Sequence, residues 1–201
     1  MRAVLLTAWV LVAIASSASG QGLGFGVKGG AAVSTWATEA DGDEAPFDSM
    51  TGVVAGGFLT WPLGGRLELQ PEVLFSEKGV AYDDGGQKLT QRLDYLEVPI
   101  LVSYRLFGAA GRQVAAFAGP SLGVRLRARA RSSFGDSTLE RDITDDVATT
   151  DTAIVFGAAY RRGRLVIDGR YGLGLADIDK QSDDGLTVKN RAVSIMAGWR
   201  F

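Results

Sequence analysis

An all-β fold, an eight-stranded antiparallel up-and-down transmembrane barrel, is the class this sequence predicts, and three observations predict it. At the end of the chain Val193, Ile195, Ala197, Trp199 and Phe201 alternate with Ala192, Ser194, Met196, Gly198 and Arg200. A strand so written has one apolar, aromatic face and one small, polar or charged face. Further segments along the chain share the alternation, and the chain opens with an export leader. A closed barrel with lipid outside and polar groups inside accounts for all three.

The leader is read first. Met1-Arg2 is a positive start, Ala3 to Ala15 is apolar, and Ala18-Ser19-Gly20 offers the small residues of a cleavage site. Residues 1–20 are therefore expected to be a secretory signal peptide and 21–201 the barrel domain. The apolar run is too short for a membrane helix, and no later run is long enough for one. The count of Cys is 0, so neither a lipid anchor at the cleavage site nor disulfides are expected in the exported domain. Hydrophobic content is 46%, an ordinary value. A membrane barrel hides its apolar residues by alternation, so bulk hydropathy misses it. The 27 glycines suit tight turns and crowded barrel positions better than helices.

The strands are expected near 23–35, 51–61, 66–77, 93–106, 113–127, 152–161, 164–176 and 191–201. The first, second and sixth are rich in Gly and Ala, and their faces stay ambiguous. In the third, Leu67, Leu69, Pro71, Val73 and Phe75 alternate with Arg66, Glu68, Gln70, Glu72 and Ser76, and Leu74 is the break. In the fourth, Leu96, Val98, Ile100, Val102, Tyr104 and Leu106 alternate with Glu97, Pro99, Leu101, Ser103 and Arg105. The fifth sets Val114, Ala116, Ala118, Leu122, Val124 and Leu126 opposite Phe117, Gly119, Ser121, Gly123, Arg125 and Arg127. The seventh sets Leu165, Ile167, Tyr171, Leu173 and Leu175 opposite Asp168, Arg170, Gly172 and Gly174. The eighth is the terminal strand already described.

Connections alternate in length. Pro62 to Gly65, Phe107 to Arg112 and Arg162-Gly163 are short, and the other four are several times longer. Short turns at one end and long loops at the other suit an up-and-down membrane barrel. Charge sorts the same way. The short turns carry Arg66, Arg112, Arg161, Arg162 and Arg164, whereas the long loops hold Glu39, Asp41, Asp43, Glu44, Asp48, Asp83, Asp84, Asp136, Glu140, Asp142, Asp145, Asp146, Asp151, Asp177, Asp179, Asp183 and Asp184. Like charges at this density are expected to keep the loops solvated and mobile.

These segments resemble a bacterial outer-membrane beta-barrel family, often labelled porin family or PorT-like. The matching stretches are Gly26 to Gly30, Leu69 to Gly79, Leu93 to Leu101, Ala118 to Gly123, Gly169 to Leu175, and Lys189 to Phe201. They occur in order across nearly the whole mature chain. The resemblance implies a location in the Gram-negative outer membrane. It also implies assembly by the barrel-insertion machinery, which would read the terminal aromatic Phe201. It implies no defined chemistry, and a member with eight strands is not expected to be an open pore.

The inward faces collect Lys28, Glu68, Glu72, Glu97, Arg105, Arg125, Arg127, Asp168, Arg170 and Arg200. An eight-stranded barrel is only wide enough for side chains to fill. Enclosed ions must pair, because an unpaired one costs several kcal/mol. Glu68, Glu72, Glu97, Arg105, Arg125, Asp168 and Arg170 are thus expected to form a charge network that plugs the lumen. The alternatives are a narrow path for ions or small solutes, and a carboxylate pair at Glu68 and Glu72 for acid–base work. The outward Phe75, Tyr104, Tyr160, Tyr171, Trp199 and Phe201 are expected to face lipid.

His is absent, so a Ser–His–acid triad cannot be built. No phosphate loop or dinucleotide fingerprint occurs, and no cofactor is expected. With 21 basic and 23 acidic residues there is no patch for nucleic acid. Asp41-Gly42-Asp43-Glu44 lacks EF-hand spacing, which leaves at most a weak site for divalent cations. The expected role is structural or interactive, without catalysis, for a monomer in outer-membrane lipid whose loops face outward. A soluble lipocalin-like barrel is the other alternative, but it requires apolar residues inside.

Overall fold

The computed structural model describes residues 22–39, 48–84, 87–109, 111–134, 137–176 and 187–201. The expected leader lies outside them, as do Asp41, Asp43, Glu44, Asp136, Asp177, Asp179, Asp183 and Asp184. The strands are β1 Gly24–Glu39, β2 Asp48–Gly64, β3 Leu67–Asp84, β4 Gln87–Ala109, β5 Arg112–Phe134, β6 Ser137–Asp142, β7 Thr150–Arg162, β8 Leu165–Gly174 and β9 Thr187–Arg200. They pair in the order β4-β3-β2-β1-β9-β8-β7-β5, and β4–β5 pairing closes the ring. Every pairing is antiparallel. The eight strands of the ring correspond to the eight expected segments, and β6 is an addition paired to β5 above it.

Closure satisfies the backbone without an open edge in the ring, as hydrocarbon demands. At the short-turn end, backbone bonds join Arg105 N to Arg66 O at 2.9 Å, Arg200 N to Arg164 O at 2.8 Å and Phe201 N to Phe25 O at 2.8 Å. The Phe201 ring stacks on Phe25 with centroids 5.1 Å apart. Gly163, at φ 58°, makes the tight β7–β8 turn in a conformation that a side chain disfavours. Gly30 serves a different need. A Cβ there would lie 1.9 Å from the Ile195 carbonyl oxygen, so only Gly lets β1 pass β9 at this distance.

The faces follow the alternation. Ile195 is 63% exposed and its neighbour Met196 only 2%. Val98, Ile100, Val102, Ile167 and Trp199 are exposed on the outer wall, while Glu72, Asp168 and Arg170 are buried. The polar groups are inside and the apolar ones outside, the inverse of a soluble ligand-binding barrel. Leu74, the break in the third strand's pattern, also turns inward. It packs with Ala32, Val54 and Met196 in an apolar layer of the lumen.

Two expectations are corrected. First, the strands run well past the predicted limits at the long-loop end. The connection between β3 and β4 is a continuous hairpin to the pair Asp84 and Gln87, and the one after β5 folds back as β6. Glu140 stays exposed, and acids of these hairpins have countercharge from β5 and β4. Arg129 and Arg131 donate to Glu140 at 3.2 and 2.9 Å, and Arg92 lies 3.6 Å from Glu77. Second, Arg127 does not point inward. Tyr95 pairs with Arg125 and Asp94 with Arg127, so Leu126 is an extra residue in a bulge. The bulge shifts the alternation by one residue. Leu126 and Arg127 are both exposed, and Ala128 takes the buried position beside Leu93.

Because the native chain has no Cys, single-cysteine variants report the facing of each residue cleanly. A spin label at Ile195→Cys in bilayers is expected to collide with dissolved oxygen, and one at Met196→Cys is not; equal accessibility would contradict the assigned faces. The Glu140 carboxyl is held below its ordinary 4.5 by hydrogen bonds from Arg131 and then Arg129. A depressed value of this kind stabilises the β5–β6 hairpin at pH above the ordinary value, and the contribution is lost as pH falls through the folded one. Carbon-detected NMR is expected to place the Glu140 midpoint below 4.5 and to move it upward in Arg131→Ala.

Candidate functional site

The inward positions of β3 form a ladder of every second residue: Glu68, Gln70, Glu72, Leu74, Ser76, Lys78. It runs the length of the lumen, and other strands answer it at each level. Nearest the short turns, Arg161 of β7 donates to Glu68 at 2.6 Å and to the Gln70 side-chain oxygen at 2.8 Å. The Gln70 amide then donates to Glu72 at 2.6 Å, which joins this level to the next.

Glu72 is the hub. Lys28 of β1 donates to it at 2.6 Å, and Arg170 of β8 binds both of its oxygens at 2.8 and 3.3 Å. Asp168 completes the square, accepting from Lys28 at 3.0 Å and from Arg170 at 3.1 and 3.0 Å. Two cations thus face two carboxylates. The cations also lie over aromatic rings, Lys28 at 5.3 Å from the Phe58 centroid and Arg170 at 5.2 Å from Phe117. Fork geometry lets one guanidinium hold two carboxylates at once, which a point charge cannot do as rigidly.

Above the apolar layer of Leu74 is a cavity of about 40 Å³, bordered by Ser76, Lys78, Glu97, Val155, Arg170 and Ser194. It is roomy and polar enough for water. Beyond it a second cluster closes the lumen. Lys78 pairs with Glu97 and lies 3.6 Å from Asp151, while the Asn190 amide donates to Asp151 at 2.8 Å. Lys78 also sits over the Tyr95 ring at 5.4 Å. The mouth is covered by Leu93, Tyr95, Ala128 and Val147, with Trp36, Ile143 and Val188 packed against them. Arg125 bonds the Val147 carbonyl, which fastens the β6–β7 connection into the opening.

Of the residues expected in the lumen, Glu68, Glu72, Glu97, Asp168 and Arg170 are brought together, with Lys28 between two of them. Arg125 is at the mouth on a backbone carbonyl rather than on an acid. Arg105 is corrected: it is exposed at the short-turn rim, where the register shift between Arg105 and Phe107 ends the regular alternation. Arg200 lies at the same rim. Asp151 and Arg161, which sequence reasoning assigned to a loop and a turn edge, join the network, as does Lys78, just past the expected end of the third strand. One more step of the two-residue period reaches Lys78 from strand three and Asp151 from strand six, and Arg161 already falls within the sixth expected strand. Among the described residues no group of three or more His, Cys, Asp or Glu is placed to hold a metal ion. The acidic Asp41 to Glu44 segment lies outside the described residues.

Removing one partner of a buried pair leaves an uncompensated ion. Glu72→Ala is expected to cost about 3–5 kcal/mol in urea unfolding of the lipid-reconstituted barrel. Arg105→Ala, at the exposed rim, is expected to stay within about 0.5 kcal/mol. Equal losses would remove Glu72 from its central place.

A comparison with solved structures finds similar chains. Ail of Yersinia pestis is 16% identical, with 90% of this chain and 99% of that chain covered at a TM-score of 0.46. Neisserial surface protein A is 15% identical, with 90% and 98% covered at 0.48. OprG of Pseudomonas aeruginosa is 16% identical, with 89% and 95% covered at 0.46. No curated protein matches the sequence. The family described as outer membrane protein beta-barrel domain matches residues 15–180. An apolar wall around enclosed charges and a match over most of the chain lead to one conclusion: this protein belongs to that family and is a bacterial outer-membrane barrel set in lipid.

Proposed function

We propose that the protein is a closed scaffold that displays its long-loop end at the cell surface for interaction, and that it neither catalyses nor conducts. The observation that carries this reading is the Lys28–Glu72–Asp168–Arg170 square, buried and internally neutral across the barrel. A solute crossing there would have to separate four buried, mutually paired ions, which costs several kcal/mol. The Lys78–Glu97–Asp151 cluster and the apolar cover at the mouth are further barriers. In this reading no cofactor is bound and the chain works as a monomer.

The display reading draws on the opposite end. β3, β4, β5 and β6 continue beyond the ring as a protruding sheet, on which Phe134 and Leu139 are 71% and 72% exposed. Its strands pair from β3 through β6, so the sheet can hold a surface in place without lipid around it. The short turns and termini would lie in the periplasm, after removal of residues 1–20 as a signal peptide. Phe201 would be the element read during insertion. A weak divalent site at Asp41 to Glu44 belongs to the same outward end.

Planar-bilayer recordings test the closed lumen: current no greater than that of heat-denatured protein is expected, and discrete conductance steps would sink the reading. A photo-crosslinker placed at Leu139 on intact cells is expected to give a discrete adduct that is absent when the crosslinker is placed at Arg66. No adduct at Leu139 would remove the motive for a surface interaction.

A further inference from the structure

Among the described residues, the outer wall carries a cross-strand pair of like charges with no ion-pair partner. Arg112 of β5 and Arg162 of β7 are direct cross-strand partners, and both are exposed. Partners in a ladder share a face, with Cβ atoms about 5 Å apart, and like charges so placed repel. The register continues around the wall from Arg162 to Leu165, from Leu165 to Trp199 and from Trp199 to Val27. Leu165, Trp199 and Val27 are all exposed, so this row is on the lipid side. The next row toward the membrane centre is Val114, Tyr160, Ile167 and Ala197. The two guanidiniums therefore stand side by side at the edge of the apolar wall.

No acid stands beside them in the sequence. Residues 104–116 and 156–167 contain no Asp or Glu. Among the described residues, neither Arg112 nor Arg162 forms an ion pair; the nearby lumen acid, Glu68, is taken by Arg161. The rest of the rim adds positive charge, with Arg66, Arg105 and Arg164 exposed on neighbouring strand ends. The opposite end is different, since Arg129 and Arg131 have Glu140 and Arg92 has Glu77.

We propose that Arg112 and Arg162 together clamp the phosphodiester of a phospholipid headgroup, with the acyl chains lying along Val114, Tyr160 and Ile167. A phosphodiester accepts hydrogen bonds from two guanidiniums at once and removes their mutual repulsion. Aromatic side chains at headgroup depth, here Tyr160 and Trp199, complete such a boundary site. The choice of phospholipid rests on the short turns lying in the periplasmic leaflet.

The test is native mass spectrometry of the full-length folded barrel, released from micelles containing phosphatidylglycerol. The wild type is expected to retain bound lipid. Arg112→Gln/Arg162→Gln is expected to lose it about tenfold, as removal of two charge-assisted contacts implies. Arg127→Gln/Arg129→Gln is expected to retain it, and heat-modifiable gel migration verifies folding of both variants. Equal retention in wild type and the Arg112/Arg162 variant would overturn the proposal. Displacement by inorganic phosphate at matched concentration would overturn the lipid assignment in favour of a simple anion site. Preference for lipid A over phosphatidylglycerol would overturn the phospholipid assignment and place the short turns at the other surface.

Discussion

Hydrocarbon offers no hydrogen-bond partner, and the rest of this structure follows from that constraint. A sheet in lipid must close, because an open edge would leave a row of polar backbone groups unsatisfied. Closing with eight strands produces a cylinder with little interior volume. The outer wall must be apolar, so the polar half of each alternating strand is forced into that narrow space. The lumen charges are therefore a consequence of closure before they are anything else. Once enclosed, they must pair, and Glu72 with its two cationic partners is the densest solution the barrel contains.

The pairing has a distribution. Inside, the ions pair level by level: Arg161 with Glu68, then Lys28 and Arg170 with Glu72 and Asp168, then Lys78 with Glu97 and Asp151, where the Asn190 amide serves the second carboxylate. Outside, the long-loop end balances arginines against acids across β5 and β6. At the short-turn rim Arg112 and Arg162 form no ion pair among the described residues. The desolvation cost explains the contrast. An ion in the lumen has no water to fall back on, whereas one at the rim has water and headgroups within reach.

Two register shifts in the β4–β5 pairing mediate between the regular barrel and its ends. The bulge at Leu126 turns Ala128 inward beneath the apolar cover and sends Arg127 outward, so one extra residue changes the lining of the mouth. The register shift near Phe107 releases Arg105 from the lumen series at the other end. Between them β5 keeps the period of two, and the interior there is paired or packed except for the cavity beside Ser76 and Lys78.

The sequence alone determined the strand count, the up-and-down order and the facing of most residues, because each is written in a local period of two and in connection length. Glu72, Asp168 and Ile195 could be placed by that rule before any coordinates existed. Which ions meet was decided only by the tertiary structure: Lys28 lies 44 residues from Glu72 and 140 from Asp168 along the chain, and only the shear and closure of the cylinder set them at one level. The fold also decided where alternation stops. Bulges depend on how neighbouring strands share twist, a cooperative property of the sheet, and so Arg105 and Arg127 could not be assigned from their own segments.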